Sequence, residues 1–511
     1  MALVAVVTFV VYASFAVLRH RQFGTAGYDL GIFDQAVRRY AHFQAPMVPL
    51  KGAGYNILGD HFHPIIALAA PFYWVSSSPM VLLVVQAALI AASVPVVHRF
   101  CRRRTSERIS LVIASSYAAS WALQTMVNFN FHEVAFGVPL LALAVDALDR
   151  GEPADRALLL WSGCLLFVRE DMGVIVLIIG VLRVLRGGLR PWRGGPARWP
   201  GVVLMVSGVF AYELTTAVIL PHFSPTGTFA YWQYGPTLGA DLSDAVVRSL
   251  ARPWHVVWLF FSPWMKTKTL LFFLVPLAFL PLRSRYAWIA FPLLAQRFFE
   301  PTERKLLWEP HYHYNALPWL VLVLAMVDAA GRMGILVPDE GRPAVLATRF
   351  VPRMSGAAPS ALRRALVGWL IVVPVYLLAL VPNVAPVHAA LTGKLYRLDA
   401  EMQAQHAAVD QIPRDVCVAA DDRIAGHLTG QDWVTIPGLV DYADVDLVVL
   451  DLSQKDVGGN LGPPPGKELA EVVRRGFSLI WVGGGSIEIW RSPSYSGPSG
   501  SCGPLADGKA G

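Results

Sequence analysis

Charge is what this chain has least of. Of its 511 residues only 15% are Asp, Glu, Lys or Arg, where a soluble globular protein carries about a quarter. A surface so poor in charge cannot all face water, so much of it meets lipid. Thiolate metal chemistry is also missing, because the four cysteines Cys101, Cys164, Cys417 and Cys502 form no C-x-x-C pair. There is no Walker A loop, G-x-S-x-G, H-E-x-x-H or dinucleotide fingerprint, which takes support from ATP-driven transport and from those hydrolase chemistries. The opening MALVAVVTFVVYASFAVL has no basic n-region and no small-residue cleavage site after it. It reads as a retained first span rather than a signal peptide.

What the chain has instead is apolar sequence, 55% by residue, with a mean hydropathy of +0.47. Runs near the ~20 residues needed to cross a bilayer predict eleven spans. They fall near 2–18, 79–98, 109–127, 133–149, 156–169, 171–186, 200–220, 268–282, 286–300, 313–330 and 364–382. Two shorter, Pro-bounded aromatic runs, 64–75 and 254–265, suit interfacial or re-entrant helices. The net charge of +7 is mostly arginine in short loops, the positive-inside pattern rather than a nucleic-acid patch. The clusters are Arg99 to Arg108, Arg183 to Arg198 and Arg332 to Arg364. All three share the cytoplasmic side if the N-terminus is cytoplasmic and 156–186 is two short spans around Arg169-Glu170-Asp171, not one long helix. The loops 19–78, 128–132, 169–171, 221–267 and 301–312 then face outward, with everything after about 383.

The domains follow: 1–390 transmembrane, 391–492 a small extracytoplasmic α/β domain, and 493–511 a Ser/Gly/Pro-rich disordered tail. VCVAA at 416–420, DLVVLDL at 446–452, and FSLIWV and SIEIW within 477–490 read as strands. A helix at 466–475 precedes the last pair, and GGG at 483–485 is a hairpin turn. Cys417 and Cys502 share the oxidising side, which permits a disulfide, and the sequence leaves the pairing open.

Polar residues of interest gather in the outward loops. In YDLGIFDQAV, Leu30, Phe33, Val37 and Tyr40 recur at helical spacing, so a short amphipathic helix starts here. Asp29 at its start is either an N-cap or a general base. Asp34 has a plain role as the i,i+4 partner of Arg38, and five residues from Asp29 it faces another way. Asp60, His61 and His63 offer metal ligands or a polar helix cap, and the ligand count is incomplete. His311, His313 and Tyr314 open the span at 313–330 as ligands or interfacial anchors. His132, Glu133, Arg169, Glu170 and Asp171 sit at outer membrane borders, where charges are costly and are paired or functional. For Arg169 the plain alternative is an ion pair with Glu170 or Asp171.

The stretches YDLGIFDQA, LGDHFHPIIALAAPFY, FVREDMGV and HYHYNALPWL, with IPRDVCVAADDRIAGHL and DVDLVVLDL in the tail, resemble the domain of unknown function 2079 (DUF2079) family of membrane proteins through nearly the whole chain. That family resembles a branch of the GT-C membrane glycosyltransferases, whose usual pair of adjacent acids is here Asp29-Leu30. The resemblance implies a bacterial plasma-membrane enzyme that moves a sugar from a polyprenyl-phosphate donor to an envelope glycan, lipid or protein acceptor on the extracytoplasmic face. It implies no nucleotide cofactor and no nucleic acid, and leaves a divalent metal open. Asp29 would be catalytic. Asp34, Asp60, His61, His63, His132, Glu133, Arg169, Glu170, Asp171, His311, His313 and Tyr314 would be candidates to bind substrate. A transporter or flippase for an envelope lipid or glycan precursor is the alternative. It should place charges near the bilayer midplane in internally repeated halves, and neither feature is evident. An envelope scaffold would leave 169–171 without a purpose.

Overall fold

The computed structural model describes residues 1–186, 198–232, 234–240, 242–338, 360–380, 386–458, 462–498 and 502. Arg190 and Arg193, the arginines between 339 and 359, the last two residues of the run 364–382, and most of the tail after 498 lie outside them. In chain order the principal helices are α1 (Ala2–Arg21), α2 (Ile32–Ala41), α3 (Met80–Arg102), α4 (Val134–Arg150), α5 (Asp155–Leu165), α6 (Met172–Arg186), α7 (Trp199–Phe223), α8 (Ala287–Phe298) and α9 (His313–Arg332). Among the described residues α1, α3, α7 and α9 are long and apolar enough to cross a bilayer. Their burial differs sharply. In the apolar stretch of α9 89% is buried, whereas α1 and α7 bury only 22% each. So α9 is the central helix, while Val6 and Val10 on α1, and Val206 and Phe210 on α7, point outward as lipid-facing side chains do.

Several apolar runs are not single helices. The run 109–127 divides into Glu107–Ala118 and Trp121–Phe129, with Ser120 extended between them. The run 268–282 is helical only to Leu274. Pro276 and Pro281 cannot donate to the backbone ladder, and Ala278 and Phe279 turn into left-handed conformations. The run 64–75 forms a 3-10 turn, Pro64–Ala69, then one α turn, Ala70–Tyr73. Leu68, Phe72 and Trp74 stay exposed there, as do Trp254, Trp258 and Phe261 on the helix Pro253–Phe261. Exposed aromatics on short helices are what a membrane interface favours.

The region 156–186 is two helices. Arg183, near the end of α6, grips Asp155 at the start of α5 through Nε and Nη2, each at 2.7 Å. The pair is therefore antiparallel, with Arg169-Glu170-Asp171 at its turn. Next, α6 packs on α7 with Gly173 facing Gly208 and Gly180 facing Gly201. A Cβ on Gly173 or Gly180 would sit 2.6 Å from the opposing carbonyl oxygen. Such small residues let backbones close in where lipid supplies no hydrophobic drive between helices. At 1.5 Å per residue, α5 and α6 reach only about 16 and 22 Å, short of the ~30 Å hydrocarbon layer.

The two ends of the bundle are chemically distinct. At one end Arg99, Arg103 and Arg104 of the α3 terminus meet Asp146 and Asp149 of α4 and Asp328 of α9. At the other end lie the turns 24–31, 57–63, 128–133, 169–171 and 309–315, together with the C-terminal sheet.

That sheet has strands β1 (Cys417–Ala420), β2 (Trp433–Thr435), β3 (Leu447–Asp451), β4 (Ser478–Gly483) and β5 (Ile487–Arg491), in the order β2-β1-β3-β5-β4. The first three are parallel and the last two antiparallel. Strands β1 and β3 are buried at every position, which is why they read as unbroken apolar runs. Gly484 and Gly485 make the turn between β4 and β5 with positive φ. Cys417 and Cys502 are joined by a disulfide. Helix α10 (Asp422–Leu428) follows β1 and lies directly on the first loop, where Gly426 faces Ala26 and Gly27 faces Ala425 at contact distance.

Candidate functional site

The site is built on an irregular turn, Gly27–Gly31, ahead of α2. Its shape follows from what holds it. The Tyr28 N–H donates to Oδ1 of Asp422 at 2.7 Å, Leu30 is fully buried, and Gly27 rests on α10. Between these anchors Asp29 takes φ 83° and ψ −86°, a conformation side-chain-bearing residues rarely adopt and one found where the surrounding structure over-determines it. Gly31, not Asp29, precedes α2, and no side chain caps that helix. The capping role for Asp29 is therefore unfilled.

The Asp29 carboxylate turns instead toward 128–133. Asn130 Nδ2 lies 3.5 Å from Oδ2, and His132 Nε2 lies 3.6 Å from Oδ1. Asn130 also takes φ 132°, which aims its amide between Asp29 and Arg19, and Arg19 Nη1 donates to its Oδ1 at 3.2 Å. Enclosure raises the Asp29 carboxyl above its usual value, with His132 and Asn130 acting in the opposite direction. About a third of the side chain, 32%, remains exposed. The result is a carboxylate that is loosely held, enclosed and still reachable.

Behind Asp29 the charges are tighter. His132 stacks on His313 with ring centres 3.6 Å apart and has Nδ1 3.7 Å from Glu133. Glu133 faces Arg169 Nη1 at 3.4 Å. Arg169 binds Asp171 through Nε at 2.9 Å and Nη2 at 2.6 Å, and Gln296 donates to the same carboxylate at 2.8 Å. Glu170 points the other way, accepting from Phe62 N–H at 3.1 Å and bonding His61 Nδ1 at 2.7 Å. Burial works against a charged His61, but Glu170 and Asp60 push it up to about 9, so it is an imidazolium at neutral pH. Asp60 is held by Lys51 and Tyr231.

The structure thus brings together Asp29, His132, Glu133, Arg169, Asp171 and His313, with Tyr314 ring-to-ring with His313 at 3.9 Å, and sets Asp60, His61 and Glu170 beside them. Three candidates stand apart from Asp29, although His63 remains within electrostatic reach of Glu133. Asp34 is fully buried, bonded to Arg38 at 3.0 Å and Tyr73 at 2.6 Å. His63 turns toward Phe33, and burial lowers its basicity. His311 lines a separate cavity with Arg19, Asp421 and Asp422. Asp60, His61 and His63 do not converge as metal ligands, and among the described residues no group of three or more His, Cys, Asp or Glu does so.

Arg19, Asn130, Gln296 and Arg297 belong to this region and were not singled out by the sequence. Arg297 is buried and, among the described residues, has no carboxylate partner. It donates to the carbonyls of Leu293 and Leu307 and to Asn315, and its Nη2 has no partner. The available signal was a polar pair, Gln296-Arg297, inside an apolar run, where such residues are costly without a purpose.

Residues 19–461 match the model of the predicted membrane protein family DUF2079. The chain belongs to that family. The match takes in Arg19, Asp29, the 128–133 and 169–171 turns, His313 and α10, and ends before β4. No curated protein matches the chain.

Proposed function

We propose that this DUF2079 chain is a GT-C-type glycosyltransferase of the bacterial plasma membrane, using a polyprenyl-phosphate-linked sugar on the extracytoplasmic face. In this reading the arginine-rich end is cytoplasmic, eleven segments cross the membrane, and the C-terminal domain lies outside. The Cys417–Cys502 disulfide fits that side, since such bonds persist in oxidising compartments.

The observation that carries the reading is the Asp29 carboxylate: in a left-handed turn, absent from helix capping, and facing Asn130 and His132 at 3.5 and 3.6 Å. In the reaction an acceptor hydroxyl oxygen bonds the anomeric carbon as the bond from that carbon to the phosphate oxygen breaks. Asp29 takes the hydroxyl proton. The polyprenyl phosphate leaves with the bonding pair, and the sugar inverts. The charge growing on the phosphate calls for cationic or hydrogen-bonding groups in a low-dielectric setting. Arg297, buried and without an acid, and the His61 imidazolium are suited to it. Arg169 serves better as a scaffold, because Asp171 and Glu133 already occupy it. The short α5–α6 pair favours a site recessed into the layer that holds the donor headgroup. The exposed aromatics of 64–75 and 253–261 offer a surface for the prenyl chain.

The test is transfer from a panel of polyprenyl-phosphate sugars by purified protein in liposomes. Product formation dependent on the wild-type chain supports the reading. No transfer across the panel, with lipid or glycan translocation instead, would favour the transporter alternative.

A further inference from the structure

The cavity at the seam between α1 and the C-terminal domain plays no part in the chemistry above. Its volume is about 1160 Å³, beyond the range of about 300–1,000 Å³ that accommodates a drug-sized ligand. One wall lies at the carboxyl ends of two parallel strands: Asp421 follows β1, and Ser453 to Asp456 follow β3. The chain leaves β1 through α10 to β2 on one side, while β3 lies on the other. In open α/β sheets, ligands bind in the crevice outside the strand ends where the connections part in this way. The facing wall comes from Arg19 and Gln22 at the end of α1, and from Thr392 and Lys394 in the segment that leads into the C-terminal domain.

A second feature points into the same space. Asp421 is only 2% exposed. Its Oδ1 accepts the Arg423 N–H, and its Oδ2 has no partner among the described residues. A buried acceptor left unpaired carries the full cost of its desolvation, and a ligand hydroxyl would relieve it. Burial, reinforced by Asp451 and Asp422, pushes Asp421 up to about 8, and burial with Asp29 nearby pushes Asp422 up to about 7. At neutral pH the Asp421 carboxyl therefore holds a proton and both donates and accepts. A protonated Asp421 and a half-titrated Asp422, set beside Arg19 and Arg423, suit vicinal hydroxyls better than a cation.

We propose that this cavity binds a hydroxyl-rich oligosaccharide, the acceptor of the transfer, with Asp421 and Asp422 bonded to its hydroxyls. The word acceptor rests on the transferase reading, whereas the oligosaccharide rests on the cavity itself. Geometry links the two. Arg19 lines the cavity and donates to Asn130, whose amide faces Asp29, so two contacts separate the cavity wall from the proposed base.

The experiment uses the full-length protein in nanodiscs, titrated with defined linear gluco-, manno-, galacto- and arabino-oligosaccharides. Binding is read by calorimetry and by saturation-transfer NMR. At least one series should bind the wild type. Asp421→Val and Thr392→Trp should each weaken binding by more than about tenfold. Thr392 is exposed at the rim, so its indole fills the cavity without touching the buried network, which keeps the test sound if Asp421→Val fails to fold. Undiminished binding in Thr392→Trp and in Ser453→Trp, or no binding by the wild type to any series, would overturn the site. Transfer by Asp29→Asn in the same preparations reports on the transferase reading separately.

Discussion

At the arginine-rich end of the bundle, Asp149 is held by Arg103, Arg104 and Tyr286, and Asp328 by Arg104, Arg332 and Ser284. At the opposite end Asp29 has Asn130 at 3.5 Å and His132 at 3.6 Å as its nearest side-chain partners among the described residues. All three are acids enclosed by protein, yet Asp149 and Asp328 are saturated with donors and Asp29 is nearly bare. A saturated carboxylate fixes helices and has no lone pair to offer. A bare one, kept in a strained turn, costs stability and is ready to take a proton. That contrast locates the chemistry better than the count of charges does, since both ends are rich in them.

The comparison breaks most visibly at Asp149. Asp149→Asn removes the carboxylate that grips buried Arg104, leaving it only Asp328 at 3.3 Å, while Arg103 keeps Asp146, and losing one partner of a buried pair costs up to about 3–5 kcal/mol. Thermal unfolding in detergent should fall accordingly, whereas Asp29→Asn should stay within about 0.5 kcal/mol of wild type, as a residue with no close bond would. Equal destabilisation by the two would erase the distinction.

Between the two ends runs the glycine seam of α6 and α7. Gly180→Val drives a side chain into the Gly201 carbonyl and should cost about 1–3 kcal/mol through overpacking. A neutral result in the same unfolding assay would mean that the helices do not approach so closely.

A smaller effect distinguishes the ends by pH. His61 has a folded value of about 9 against 6.5 for a free histidine. The stability it contributes is therefore complete below about pH 6.5 and fades as pH rises through about 9. Glu170→Gln removes the carboxylate that holds the imidazolium and should flatten this decline in a thermal series from pH 6 to pH 10. An unchanged slope would place the pH sensitivity elsewhere.

Much of this was legible in the sequence, for identifiable reasons. Apolar runs mark where helices lie, and the arginine bias favoured two short spans in 156–186, where the structure has two antiparallel helices tied by Arg183 and Asp155. Strands β1 and β3 stand out because both their faces are buried. Strand β2, only Trp433–Thr435, is too short to show any period. The breaks at Ser120 and after Leu274 hide inside hydropathy that ignores backbone geometry. Within the site, Asp34 looked like a partner of Arg38 and is one, but its complete burial against Tyr73 comes from a contact 39 residues away. Arg19 and Asn130 were invisible for the same reason: their importance lies in a contact with each other across 111 residues. The packing of α10 on Gly27 likewise has no local signature, since a lone glycine reads only as a turn.

The central claim is that Asp29 accepts the proton, and the direct measurement is sugar transfer from a polyprenyl-phosphate donor by Asp29→Asn in liposomes, with Asp34→Asn as control. Asn preserves size and hydrogen bonding but has no basic oxygen. The account predicts a loss on the order of 10²–10⁴-fold in transfer rate with an unfolding temperature close to wild type, while Asp34→Asn stays within severalfold of wild-type transfer. Wild-type transfer by a stably folded Asp29→Asn protein would contradict it.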